Sequence, residues 1–198
     1  MPIIQANGLM YSTDVPIKKP GTYNFRVGIR DVSNNVLGTA SQVIRVPDLK
    51  KGDLFLSGLT VTQLDRNGKF SVPGAARPEE AISLIGSQAT PSVRVFSRGS
   101  VLVYSYNIYN AKLDPTTGIP KLTVQMNLYR DGKIIFEGKP TAAELEKQED
   151  LSRITDYGYL KLNSDVELSD YAVQIIVTDT LRNGEGSVSN QWIDFEVR

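Results

Sequence analysis

This chain contains no histidine and no cysteine, so the usual near-neutral acid–base group is missing and carboxylates are the first candidates for hydrolytic chemistry. The two absences exclude Ser-His-Asp and Cys-His hydrolysis, thiolate nucleophiles, disulfides and zinc sites built on Cys or His. Hydrolysis of a glycosidic bond needs two carboxylates facing each other across a cleft. Acids cluster at Glu79 with Glu80, and at Glu144, Glu146, Glu149 and Asp150. Both clusters sit in polar segments that read as solvated faces, and spacing alone does not bring two of them together. The stretch "DTLRNGEG" from Asp179 resembles a calcium loop of the form D-x-[DN]-x-[DN]-G, with Asn183 and Gly184 in place. Leu181 stands where an oxygen ligand is required and the closing bidentate Glu is missing, so the stretch reads as a plain loop. "DRNGKF" at Asp65 reads as a hairpin turn through its Asn-Gly pair. No metal and no cofactor is expected.

Aromatic residues offer recognition instead of catalysis. In "QWIDFEV", Ile193, Phe195 and Val197 share the inward face, which leaves Trp192 pointing outward with Asp194 and Glu196. An outward Trp can anchor a partner or stack on a sugar; burial under a neighbouring module or under residues 66–91 is the expectation for it here. Tyr109 and Tyr129 join Trp192 as a possible interaction surface, and Tyr157 and Tyr159 are further candidates for contact with a carbohydrate.

The elements that must hold these residues are strands. "YNFRVGIRD" puts Tyr23, Phe25, Val27 and Ile29 on one face, and "YAVQIIVTD" does the same with Tyr171, Val173, Ile175 and Val177. "VLVYSYNIY" groups Leu102, Tyr104, Tyr106 and Ile108. "KLTVQMNLYRDGKIIFEG" reads as a hairpin with Leu122, Val124, Met126 and Leu128 inward and Asp131-Gly132 at the turn. Residues 54–63, 92–97, 157–163 and 187–197 are further strand candidates. Helical signal is confined to "RPEEAISLIG", with Pro78 suited to a first turn, and to "TAAELEKQED". The fold class is all-β.

One strand–turn–strand phrase occurs twice. Tyr23, Asp31, Asn35, Gly38 and Ser41 match Tyr171, Asp179, Asn183, Gly186 and Ser189 at constant spacing, and one added residue then aligns Ile44 with Ile193. This predicts tandem immunoglobulin-like or fibronectin-III-like β-sandwich modules. Residues 1–50 would hold the last strands of a truncated module, and residues 51–198 a complete one with an insertion at 66–91. Tyr23 and Tyr171 each begin a penultimate strand, the place of a structural tyrosine corner. The face of Tyr23, Phe25, Val27 and Ile29 is expected to be covered, by the second module or by another copy of the chain, because exposure would forfeit apolar burial.

Composition narrows the function classes. Lys plus Arg and Asp plus Glu number 22 each, so the basic surplus that normally supports nucleic-acid binding is missing. No apolar run approaches the roughly 18–20 residues that span a bilayer, so no membrane insertion is expected. "MPIIQANGLMYSTD" lacks the features of a secretory signal.

Five phrases together, "VPIKKPGTYNFRVGIRD", "LGTASQVIRVPDLKKGDLFLSGL", "FSRGSVLVYSYNIYNAKLD", "LYRDGKIIFEGKPT" and "VTDTLRNGEGSVSNQWIDFEV", resemble the C-terminal region of von Willebrand factor A-related (VWFA-related) acidobacterial domain proteins. The resemblance implies a part of a longer, extracytoplasmic protein, secreted or in the cell envelope, with an A-type domain upstream. "DVSNN" at Asp31–Asn35 is superficially similar to the D-x-S-x-S metal-adhesion motif of A-type domains. Asn35 breaks it, however, and the segment joins two antiparallel strands, so it reads as a turn. The expected function is non-catalytic: structural, adhesive or protein-interaction modules, with a partner protein in the envelope or another copy of the chain. A carbohydrate-binding accessory module is the first alternative and a carboxylate-based glycoside hydrolase the second.

Overall fold

The structure is a computed structural model describing residues 15–31, 33, 37–64, 94–145, 148, 150–184 and 186–198. It is all-β, with one short 3-10 turn at Leu49–Lys51 and no α-helix among the described residues. Residues 66–91, Asp65, Glu79, Glu80, Glu146, Glu149, Asn35 and the expected helix "RPEEAISLIG" lie outside the described residues.

The chain divides into two compact units, with Thr13–Gly52 forming one and Asp53–Arg198 the body of the other. The smaller unit is a single hairpin. Strand β1 (Gly21–Arg30) pairs antiparallel with β2 (Leu37–Val46), Tyr23 lying opposite Ile44. Val15–Lys19 and Ile44 enclose a hollow of about 440 Å³ beside Tyr23 and Phe25. Farther along this hairpin face, Val27 and Ile29 are 42% and 73% exposed.

The larger unit is a sandwich. Its first sheet joins β3 (Phe55–Leu56) and β4 (Thr60–Gln63) to β6 (Val101–Tyr109), which pairs in turn with β10 (Arg153–Lys161). Its second sheet runs β5 (Val95–Phe96), β12 (Val188–Val197), β11 (Ser169–Asp179), β7 (Leu122–Arg130), β8 (Lys133–Glu137), with β9 (Thr141–Ala142) also pairing β7. Period-two alternation explains why two layers form. Leu102, Tyr106, Ile108 and Ile154 of the first sheet meet Tyr171, Val173, Ile175, Val177, Ile193 and Phe195 of the second in one apolar core. Each large core side chain contributes roughly 1.5–3 kcal/mol by leaving water.

Local chemistry sets the turns and breaks. Asp131 (φ 48°) and Gly132 (φ 76°) close the β7–β8 hairpin, and positive φ at both central residues is what a type I′ turn requires. The stretch 54–63 is two short strands and not one. Ser57 interrupts it by donating its backbone N–H to Asn107 O (2.9 Å) while its Oγ accepts from Asn107 N (2.9 Å). The helix expected over "TAAELEKQED" is replaced at its start by β9. Ala143 N continues that pairing by donating to Leu122 O at 3.1 Å, so the local acids and alanines yield to a free sheet edge.

The repeated phrase forms a hairpin in both places, but the hairpins are not equivalent. Tyr171 lies opposite Phe195, whereas the residue aligned with Ile44 is Ile193, so the second hairpin is slid by two residues. An even slip keeps every side chain on its face. β11 also pairs β7, and β12 pairs β5, while among the described residues β1 and β2 pair only with each other.

Candidate binding surfaces

Trp192 stands on the outer face of the six-stranded sheet. On β12 it is opposite Gln174 of β11, which is opposite Asn127 of β7. Alternation sends these three outward because Val173, Ile175 and Ile193 take the core side. The Trp192 ring packs against Tyr129 with centroids 4.8 Å apart, and its Nε1 donates to Asn190 Oδ1 at 3.2 Å. Trp192 keeps 47% of its surface exposed; residues 66–91, one of the two covers expected for it, lie outside the described residues.

Beside the ring pair runs a row of amides. Gln125 Nε2 donates to Asn127 Oδ1 (3.1 Å), and Asn127 Nδ2 donates to Gln174 Oε1 (3.0 Å). The Tyr129 hydroxyl donates to the same Gln174 oxygen at 3.3 Å. Gln174 Nε2 makes no hydrogen bond among the described residues, which leaves two N–H donors next to the aromatic pair. The nearest acid on β12, Asp194, is paired with Arg94 (Nη2–Oδ2 2.9 Å), and that bond holds its carboxyl below the usual range. The face is therefore aromatic, amide-rich and locally neutral.

Tyr109 does not belong to this surface. It lies on β6 of the other sheet, with its ring 6.3 Å from Phe55, in a shallow hollow shared with Ser57, Ser105 and Thr155. Tyr157 and Tyr159 are on β10 of that same sheet, edge to face at 5.9 Å. The aromatic residues grouped by sequence thus occupy separate places: Tyr129 meets Trp192 on one sheet, and Tyr157 meets Tyr159 on the other.

A second concave region opens between the sheets along β10. This cleft of about 750 Å³ is lined by Tyr104, Glu144, Gln148, Asp156, Tyr157 and Tyr159, among others. Asp156 faces inward opposite Tyr106, whose hydroxyl donates to its carboxylate. Burial is the first cause pushing the Asp156 carboxyl up, against the lowering effect of that bond; the charge of Glu144 adds to the rise. Burial likewise pushes the Tyr104 phenol up to about 12, with Asp156 contributing. Sequence reasoning passed over Asp156, although an acid on the face shared by Ile154 and Leu160 was a visible departure from the pattern.

The remaining acids hold loops together. Asp179 is fully buried; its carboxylate accepts from Lys112 N (2.8 Å) and Leu181 N (3.0 Å) and pairs with Arg182 Nε (3.0 Å). These bonds occupy the oxygens a calcium loop would need. Asp31 and Asp150 each accept from the N–H and hydroxyl of the serine two residues on, as in Asx turns. Tyr171 is 3% exposed and its hydroxyl donates to Glu167 O at 2.8 Å; Tyr23 donates to Lys19 O at 2.7 Å.

No known protein family matches the chain, and no curated protein does either. Among solved structures, it is similar to a family 123 glycoside hydrolase from Clostridium perfringens at 10% identity and TM-score 0.37, over 72% of this chain and 27% of that one. It is also similar to a candidate DNA-binding protein from Bacteroides vulgatus at 8% identity and TM-score 0.26, over 92% of this chain and 71% of that one. Similarity this distant carries no statement about what the chain does.

Proposed function

We propose that the chain is a non-catalytic adhesive module and that the outer face of its six-stranded sheet is the binding surface. The observation that carries this is the half-exposed Trp192, fixed against Tyr129 beside Gln174, whose Nε2 makes no hydrogen bond among the described residues. A rigid, amphipathic ring pair with neutral donors suits a ligand that has both an apolar ring face and hydroxyl oxygens. That is the chemistry of a neutral glycan, which is the ligand class favoured here over a protein partner.

The finer fold assignment belongs to the same reading. The sandwich is immunoglobulin-like or fibronectin-III-like: β12, β11, β7 and β8 follow the order G, F, C, C′, and β10 and β6 with β3 and β4 follow E, B, A. Tyr171, at the start of β11, then serves as the corner tyrosine of strand F. In this reading the protein acts in the cell envelope or outside the cell, as the sequence resemblance implies.

Trp192 is the chain's single tryptophan, so its fluorescence reports on this face alone. Titration with soluble cello-, xylo- and chito-oligosaccharides is expected to shift the emission saturably for at least one series. Trp192→Ala and Gln174→Ala should each abolish binding measured by calorimetry while leaving the unfolding midpoint in place. An emission spectrum indifferent to every glycan would overturn the glycan reading.

A further inference from the structure

Among the described residues, the cleft along β10 holds carboxylates and no cation: Asp156 and Glu144 both line it, and no Lys or Arg does. The sole side-chain bond to Asp156 among those residues comes from the neutral Tyr106 hydroxyl. Glu144 is exposed at the rim, whereas Asp156 is largely withdrawn from water, and a desolvated carboxylate is normally paired with a cation.

An aromatic ring lies beside this carboxylate. Gly158 follows Asp156 by two residues and lies opposite Tyr104, on the same face. A β-carbon at Gly158 would overlap the Tyr104 hydroxyl and ring. Glycine there lets the phenol lie flat across β10 toward the cleft. The Tyr104 hydroxyl makes no hydrogen bond among the described residues. Tyr157 and Tyr159 also border the space, with side chains that alternate to the other face of β10. Gln148 closes one side by bonding the backbone of Thr155 in both directions, at 2.8 and 3.0 Å.

Carboxylates with no cation beside them among the described residues, next to the Tyr104 ring in a space the size of a small-molecule pocket, have a specific complement. We propose that this cleft binds a small organic cation, an alkylammonium group, with its charge against Asp156 and Glu144 and its carbon surface on the Tyr104 ring. The aromatic face attracts a cation through its quadrupole, and the carboxylates supply the countercharge. This site lies apart from the outer sheet face and does not depend on it.

The test compares choline, tetramethylammonium and butylammonium with 3,3-dimethylbutan-1-ol, the neutral isostere of choline, by calorimetry on the whole chain. At least one ammonium probe should bind saturably, and the isostere at least about tenfold more weakly, as a cation–aromatic and ion-pair contribution implies. Asp156→Asn should abolish the difference between choline and its isostere. Should that variant fail to fold, Glu144→Gln, at an exposed position on the rim, should weaken ammonium binding several-fold. Trp192→Ala should leave ammonium binding unchanged, which separates this site from the glycan surface. Equal binding of choline and its isostere, or no binding by any of the three ammonium probes, would overturn the proposal.

Discussion

The Tyr171 hydroxyl reaches back four residues to donate to the Glu167 carbonyl at 2.8 Å. The ring behind it is part of the core, stacked on Phe195 with centroids 5.5 Å apart. The bond therefore fixes the chain entering β11 to the middle of the sandwich. Tyr171→Phe keeps the ring and deletes the bond, and the expected loss is about 0.5–1.5 kcal/mol, read as a lower denaturant midpoint. Tyr23 makes the same bond to Lys19, but on an exposed hairpin. Tyr23→Phe should leave the main unfolding transition where it is.

Asp179 is expected to be the costliest acid to remove. It has no solvent contact, and two backbone N–H groups and Arg182 depend on it. Asp179→Ala strands all three and should cost about 3–5 kcal/mol in a chemical denaturation experiment, the penalty of an orphaned buried partner. Adding calcium should not restore stability, since the loop is held by hydrogen bonds and one ion pair.

Alternation made most of this fold legible before the structure. Strand β11 alternates without a fault from Tyr171 to Val177, and the outward position of Trp192 follows from Ile193 and Phe195 on the other face. What alternation does not contain is pairing. It gave no sign that Tyr109 and Tyr129 fall on opposite sheets, or that the two similar hairpins differ in register by two residues. The acid-rich segment after Pro140 has helix-forming composition, yet a neighbouring sheet edge offers Thr141 and Ala142 backbone bonds that a short helix could not match. Asp156 was obscured for another reason. A carboxylate on an inward face makes sense only once Tyr106 is known to lie opposite it.

The pH dependence of stability should separate Asp156 from the other acids. Its carboxyl is raised in the folded state, so the folded chain holds a proton that the unfolded chain releases near pH 3.9. The stability this contributes is complete below that value and is lost as pH rises through the folded-state value. Asp114 and Asp194 behave oppositely: Lys121 holds the first down to about 2 and Arg94 lowers the second. Their contribution is present above pH ~3.9 and is lost on acidification. Subtracting wild type from Asp156→Asn cancels the second group. The variant's relative stability should rise as pH increases from about 3 toward 7. A difference that stays flat across this range would show that Asp156 is not raised. Tyr104, Tyr106 and Glu144 are the groups set against the same carboxylate.

Tyr104 and Gly158 should behave as one unit in a double-mutant cycle. Gly158→Ala places a methyl group where the Tyr104 hydroxyl and ring now lie, and the expected cost is about 1–3 kcal/mol, the usual range for forced repacking. The clash is with the far end of a side chain and not with backbone. Gly138 is the contrast: a β-carbon there would meet the Met126 carbonyl, which also accepts from Gly138 N at 2.9 Å. Removing the tyrosine ring should therefore relieve Gly158→Ala and do nothing for Gly138→Ala. In a Tyr104→Ala background, Gly158→Ala should cost less by at least about 0.5 kcal/mol, the threshold at which neighbouring sites cease to be additive. The same background should leave the cost of Gly138→Ala unchanged. Strict additivity at Gly158 would mean that the alanine is accommodated by moving β10 itself, and the flat placement of Tyr104 across that strand would no longer explain why glycine stands there.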